Sequence, residues 1–143
     1  MKKIIYIITS ALILTACDLE TPDNGALDGN WQLRQIDTLA TGGSCDMSRS
    51  YIYWGIENHL LQVRDIDNNN LKILFHFEKM GEELTIHTPH FVVTKDELTL
   101  IEDGSQLAPL GITGTKETFH IEKLNHGSLI LKNEYYRLSF RRY

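Results

Sequence analysis

The feature that most constrains this chain is alternation. In "LKILFHFE" (residues 71–78), Leu71, Ile73, Phe75 and Phe77 fall on one side and Lys72, Leu74, His76 and Glu78 on the other, the two-residue period of a half-buried strand. "ELTIHT", "ELTLIED", "ETFHIEKL", "SLILKN" and "EYYRLSF" alternate likewise, and "YIYWGI" is aromatic and β-branched. Between them stand "DNNN", "MGEE", "TKDE", "NHG" and "NE", short turns rich in residues that tolerate positive φ. About eight short strands at roughly ten-residue spacing imply an all-β, antiparallel barrel, with a sandwich of the same strands as the runner-up. Helical periodicity is not sustained anywhere from Gly29 onward.

The first sixteen residues read differently. Lys2 and Lys3 precede the apolar run "IIYIITSALILT" and the small residue Ala16, the pattern of a secretory signal, and the run is too short for a comfortable membrane span. Leu14-Thr15-Ala16-Cys17 resembles the lipobox of bacterial lipoproteins. That resemblance implies a signal peptide over 1–16, cleavage before Cys17, and acylation of Cys17. Several acyl chains, at about 0.8 kcal/mol per buried CH₂, anchor a chain firmly without a spanning helix. The expected location is the cell envelope, lipid-anchored, at the outer membrane.

Cleavage there removes both lysines from a chain of formal charge −5, leaving −7. An acidic balance argues against nucleic acid, which wants clustered Lys and Arg; the one basic cluster, Arg137, Arg141 and Arg142, sits at the last strand. Residues 17–26, "CDLETPDNGA", read as an acidic flexible tether, and 27–143 as one domain. With Cys17 acylated, Cys45 is the remaining thiol of two, so no intramolecular disulfide forms and the fold stands on its core. Cys45 lies in the loop-like "TLATGGSCDMS" with no nearby base to activate it.

One segment breaks the rhythm of strands. "DGSQLAPLGITGT" (103–115) holds three of the chain's glycines, a proline and several apolar residues. It reads as a long loop with one helical turn over a barrel end, acting either as a lid or as a plug that buries Leu107, Leu110 and Ile112.

"LDGNWQL" (27–33) resembles the Gly-x-Trp signature on the first strand of lipocalin-like barrels, and "LSFRRY" (138–143) their closing strand with its late basic residue. Together with the lipobox and "FHIEKLN", they resemble the small lipocalin-like lipoproteins of the Bacteroidetes type. The resemblance implies an up-and-down barrel of about eight strands. In it, Gly29 and Trp31 would close one end, with Arg141 or Arg142 across the indole as a cation–π partner.

A barrel of that size is either filled by its own side chains or holds one small ligand. By parity, Leu33, Ile52, Trp54, Ile56, Leu61, Val63, Ile73, Phe75, Phe77, Leu84, Ile86, Leu98, Leu100, Phe119, Ile121, Leu129, Leu131, Leu138 and Phe140 face inward. Most are bulky, which favours a filled interior or a slim apolar pocket. Candidate pocket walls are Trp54, Phe75, Phe77 and Phe119, roofed by Leu107 and Leu110.

The histidines call for a test of metal binding. "HTPH" separates His87 and His90 by three positions, which on a regular strand point to opposite faces and converge only if Pro89 bends the chain. His59, His76, His120 and His126 are scattered, so no metal or other cofactor is expected. No Gly-x-Ser-x-Gly elbow or phosphate loop is present, and no catalytic residue is assigned. Two readings stand: a lipid-anchored envelope lipoprotein binding a small apolar ligand, or a filled barrel engaging an envelope protein through its loops. An enzyme is not expected.

Overall fold

The computed structural model of the protein describes residues 24–143; the signal, Cys17 and the tether as far as Asp23 lie outside the described residues. A 3₁₀ turn (Gly25–Leu27) leads into ten strands: β1 (Gly29–Thr38), β2 (Gly43–Asp46), β3 (Ile52–Glu57), β4 (Leu60–Asp65), β5 (Leu71–Met80), β6 (Glu83–Thr94), β7 (Glu97–Leu100), β8 (Lys116–Leu124), β9 (Ser128–Lys132) and β10 (Tyr136–Arg142). A 3₁₀ helix (Gly104–Leu110) separates β7 from β8. Every pairing is antiparallel.

Eight strands form the ring β1-β3-β4-β5-β6-β8-β9-β10, and β10 closes back onto β1. The expected up-and-down barrel is therefore present. Closure leaves the ring without open edges, the liability of an isolated sheet. The predicted turns sit where the sequence placed them. Asn58, Asn69 and Asn70 adopt positive φ, a conformation that asparagine tolerates better than other non-glycine residues.

The core is continuous from the 3₁₀ turn to the 3₁₀ helix. Trp31, Trp54, Phe75 and Phe119 are its largest fully buried side chains, and Trp31, Trp54, Val63 and Ile73 occupy one register row through β1, β3, β4 and β5. Each large apolar side chain so buried stabilises the fold by about 1.5–3 kcal/mol.

Three expectations change. Leu98 and Leu100 do not face the interior: they are 48% and 49% exposed. Their strand, β7, pairs with β6 alone, outside the ring, so alternation there has no core to address, and Ile101 enters the core in their place. The loop-like stretch around Cys45 contains a strand, β2, paired with the upper half of β1. All four of its residues are exposed, so the backbone ladder holds it without a hydrophobic signal. Finally, ordered structure begins before residue 27. Asn24 donates from its side chain to Asp28 Oδ1 (2.7 Å) and to the carbonyl of Asn58 (2.9 Å), so the last residues read as tether are part of the barrel end.

Candidate functional site: the sealed interior and its lid

The end where the chain enters is closed by two aromatic and basic side chains brought together by register. Trp31 on β1 lies opposite Arg142 on β10. The Trp31 indole is fully buried, and its Nε1 donates to the carbonyl of Leu27 at 2.9 Å. The guanidinium carbon of Arg142 stands 4.4 Å from the indole centroid, a cation–π contact. The same guanidinium donates from Nη1 to Asp28 O (2.9 Å), from Nη2 to Ala26 O (2.6 Å), and from Nε to His126 O. One arginine thus ties the entering chain, the β8–β9 turn and the closing strand together, with the fixed fork that lysine lacks. Arg141, the neighbouring residue, is exposed and pairs in register with Gln32.

In the interior, Trp54, Phe75, Phe119 and Leu107 have no accessible surface, and Phe77 and Leu110 retain 4%. Trp54 packs edge-on to Phe119 (centroids 6.0 Å apart) and tilted against Phe140 (4.8 Å), within the range in which aromatic pairs attract. Depressions mark the outside of the molecule over Gly55, beside His87 and Glu78, and beside His120 and Glu122. None takes a wall from these six residues. One polar atom in the core stands out. The Trp54 Nε1 is buried without a hydrogen-bond partner, at a cost of about 1–3 kcal/mol.

The other end is covered by 103–115. Leu107, Leu110 and Ile112 from this segment are buried in the core. The Asp103 side chain accepts from Ser105 N at 2.9 Å and starts the 3₁₀ helix; that backbone N–H holds the Asp103 carboxyl below its ordinary range. At the helix exit, Gly111 takes φ 79°, and a Cβ there would meet Leu138 Cδ2 at 2.5 Å. The segment's two ends approach so closely that a Cβ on Gly104 would lie 2.8 Å from Gly114 Cα.

A buried carboxylate fastens this cover. Glu117 on β8 is 8% exposed and accepts from Thr113 N (2.9 Å), Thr113 Oγ1 (2.8 Å) and Asn133 Nδ2. Asn133 in turn accepts the N–H groups of Tyr135 and Tyr136 at 2.8 and 2.6 Å. The latch was missed in the sequence, although parity marked it: Glu117 stands two residues before Phe119 on the same inward face. A carboxylate with this many donors is satisfied in place and is structural, not a free acid or base.

Cys45 is exposed, its sulfur 3.6 Å from that of Met47. On the outer wall, Glu122 forms a two-point pair with Arg137 (2.8 and 3.2 Å). Hydrogen bonding and charge from Arg137 lower the Glu122 carboxyl below its ordinary range.

Comparison with known proteins matches this geometry. A lipocalin-like protein of known structure from Bacteroides uniformis superimposes with a TM-score of 0.64 at 22% identity, covering 83% of this chain and 100% of its own. An uncharacterized protein from Bacteroides eggerthii does so with a TM-score of 0.59 at 18% identity, covering 81% and 98%. At such identities the likeness concerns the fold. None of the curated proteins compared with the chain matches it. Residues 1–17 match the prokaryotic membrane lipoprotein lipid attachment site, which supports membrane association through lipid, and among the described residues no helix is long and apolar enough to cross a membrane. The lipocalin-like domain matches residues 12–143, and the chain belongs to that family.

Proposed function

We propose that this lipoprotein is anchored through acylated Cys17 in the outer membrane and works from its outer surface, with the barrel serving as a filled scaffold for interaction with an envelope protein. The observation that carries this reading is the sealed interior. A void wide enough for water beside Trp54, Phe75, Phe119 or Leu107 would leave them accessible surface, and they have none. Their contacts are those of a close-packed core.

The outer surface offers a place for a partner. Strand β6 runs in the same sense as β1, so the β6–β7 ribbon ends at the opposite end of the barrel from Gly29, where the chain enters. Residues 17–23 span at most about 25 Å when extended, which keeps the entering end near the membrane and turns the ribbon away from it. The ribbon exposes Val93, Leu98 and Leu100, beside Asp96, Glu97, Glu102 and Asp103 against the lone Lys95. This chemistry suits a protein partner presenting an apolar contact with basic residues around it.

A second reading is favoured by one atom. The unpartnered N–H of Trp54 is a donor for a small, largely apolar ligand bearing one acceptor, enclosed by Trp54, Phe75, Phe77 and Phe119 beneath Leu107 and Leu110. Native mass spectrometry of the full chain, extracted gently in detergent from its own type of host, separates the two. The scaffold reading predicts the mass of the acylated chain alone. A reproducible further mass, lost in Trp54→Phe, would replace it with the ligand reading.

A further inference from the structure

The sequence places His87 and His90 on opposite faces unless the chain bends, and the structure bends it. Thr88 takes φ 52°, Pro89 is buried, and the register on β5 passes from Leu74↔His90 to His76↔His87. The one extra residue on β6 forms a bulge, a device that re-aims side chains. His87 and His90 both come out on the wall away from the core.

There His76 and His87, directly opposite one another, bring their rings to 5.9 Å between centroids and within 20° of parallel. Glu78 Oε1 lies 4.0 Å from His87 Nε2. The bulge also occupies the other nitrogen of each of its histidines. His87 Nδ1 is 2.8 Å from Thr88 Oγ1, and His90 Nδ1 is 3.0 Å from the carbonyl of Thr88. Fixing Nδ1 on a backbone or side-chain oxygen while Nε2 stays free is how proteins orient imidazoles toward metal. His87 and Glu78 border a surface depression together with Thr85, Thr88, Lys116 and Thr118, so an ion can reach them.

We propose that His76 and His87 form a cross-strand chelate for a divalent late-transition ion of the zinc class. As the side chains stand, no three His, Cys, Asp or Glu groups among the described residues converge on one point. The protein therefore supplies two imidazoles, water fills further positions, and Glu78 joins by rotation of its own exposed side chain. A metal bonded to one nitrogen of each ring at about 2.1 Å with a tetrahedral angle needs ring centres about 5 Å apart. As they stand the rings are stacked 5.9 Å apart, and an imidazole binds metal in its own plane, so the exposed His76 turns its ring about Cβ–Cγ to aim a nitrogen at the ion held by His87 Nε2. Lys116 lies opposite His87 on β8 and opposes a bound cation; the Glu78 carboxylate offsets it.

The test is isothermal titration of Zn²⁺ into the full chain in detergent, in a Cys45→Ser background that removes the competing thiol. One ion per chain is expected, with binding weakened about tenfold or more by His76→Gln and by His87→Gln and less by Glu78→Gln. His120→Gln, which alters the separate His120–Glu82 pair at 3.7 Å, leaves binding unchanged. Unchanged thermal unfolding of the metal-free variants shows that the exposed substitutions spare the fold. No saturable binding, or binding in His76→Gln or in His87→Gln as tight as in the chain that keeps both histidines, overturns the proposal.

Discussion

A methyl group on residue 29 would lie 2.3 Å from Nη1 of Arg142. Gly29 also holds φ at 129°, a conformation that side chains strain against. The glycine of the Gly-x-Trp signature is thus the space that the closing arginine occupies. Gly29→Ala is expected to lose about 2 kcal/mol or more of stability, read by urea denaturation. The loss should shrink in an Arg142→Ala background, where the clash is gone and the backbone strain remains.

Trp31 and Arg142 should be energetically coupled. In a double-mutant cycle with Trp31→Leu and Arg142→Leu, we expect a coupling of about 0.5–2 kcal/mol from the stacked cation. Arg141, exposed on the other side of the strand, should show none with Trp31. Equal coupling to both arginines would contradict the assignment of closure to Arg142.

The cover over 103–115 is held by one carboxylate, so Glu117→Ala should loosen it. The variant takes the acceptor from Thr113 N–H and Thr113 Oγ1 and leaves Asn133 Nδ2 the Gly111 carbonyl, a loss of about 1–3 kcal/mol. Hydrogen exchange should rise at residues 107–113 before it rises in β1 or β10, because local opening precedes global unfolding. Exchange that rises evenly through the barrel would show that Glu117 does not act as a latch.

The Glu122–Arg137 pair gives a small acid-limb contribution. Arg137 lowers the Glu122 carboxyl below its reference value of 4.5, so the folded state binds this proton less readily than the unfolded one. The stabilisation is present above that reference value and is lost as pH falls through the lowered folded value. Because the pair is on the surface, its size is below about 1 kcal/mol. Arg137→Gln should remove it, so that the stability difference between wild type and variant, followed by urea denaturation from pH 7 to pH 2.5, shrinks as the pH falls.

Alternation made most of the ring legible because each ring strand has one face on the core, and a period of two then names the buried set. It misled at Leu98 and Leu100, where β7 keeps the pattern after leaving the ring. It was silent at β2, whose exposed residues carry no apolar signal. Period two, carried on from the inward Leu138 and Phe140, also puts Arg142 rather than Arg141 on the Trp31 face, a choice that the sequence reading left open. The bulge at Thr88 was visible as the proline in "HTPH"; the cross-strand meeting of His87 with His76 depends on register between distant segments.

The central claim is that the barrel is filled, and Phe119 tests it most directly. Its ring is fully buried and packs against Trp54. In a close-packed interior, Phe119→Ala leaves a cavity and loses about 3–5 kcal/mol, measured by equilibrium denaturation of the full chain in detergent. A loss under about 1 kcal/mol would mean that Phe119 lines open space, and would contradict the filled scaffold.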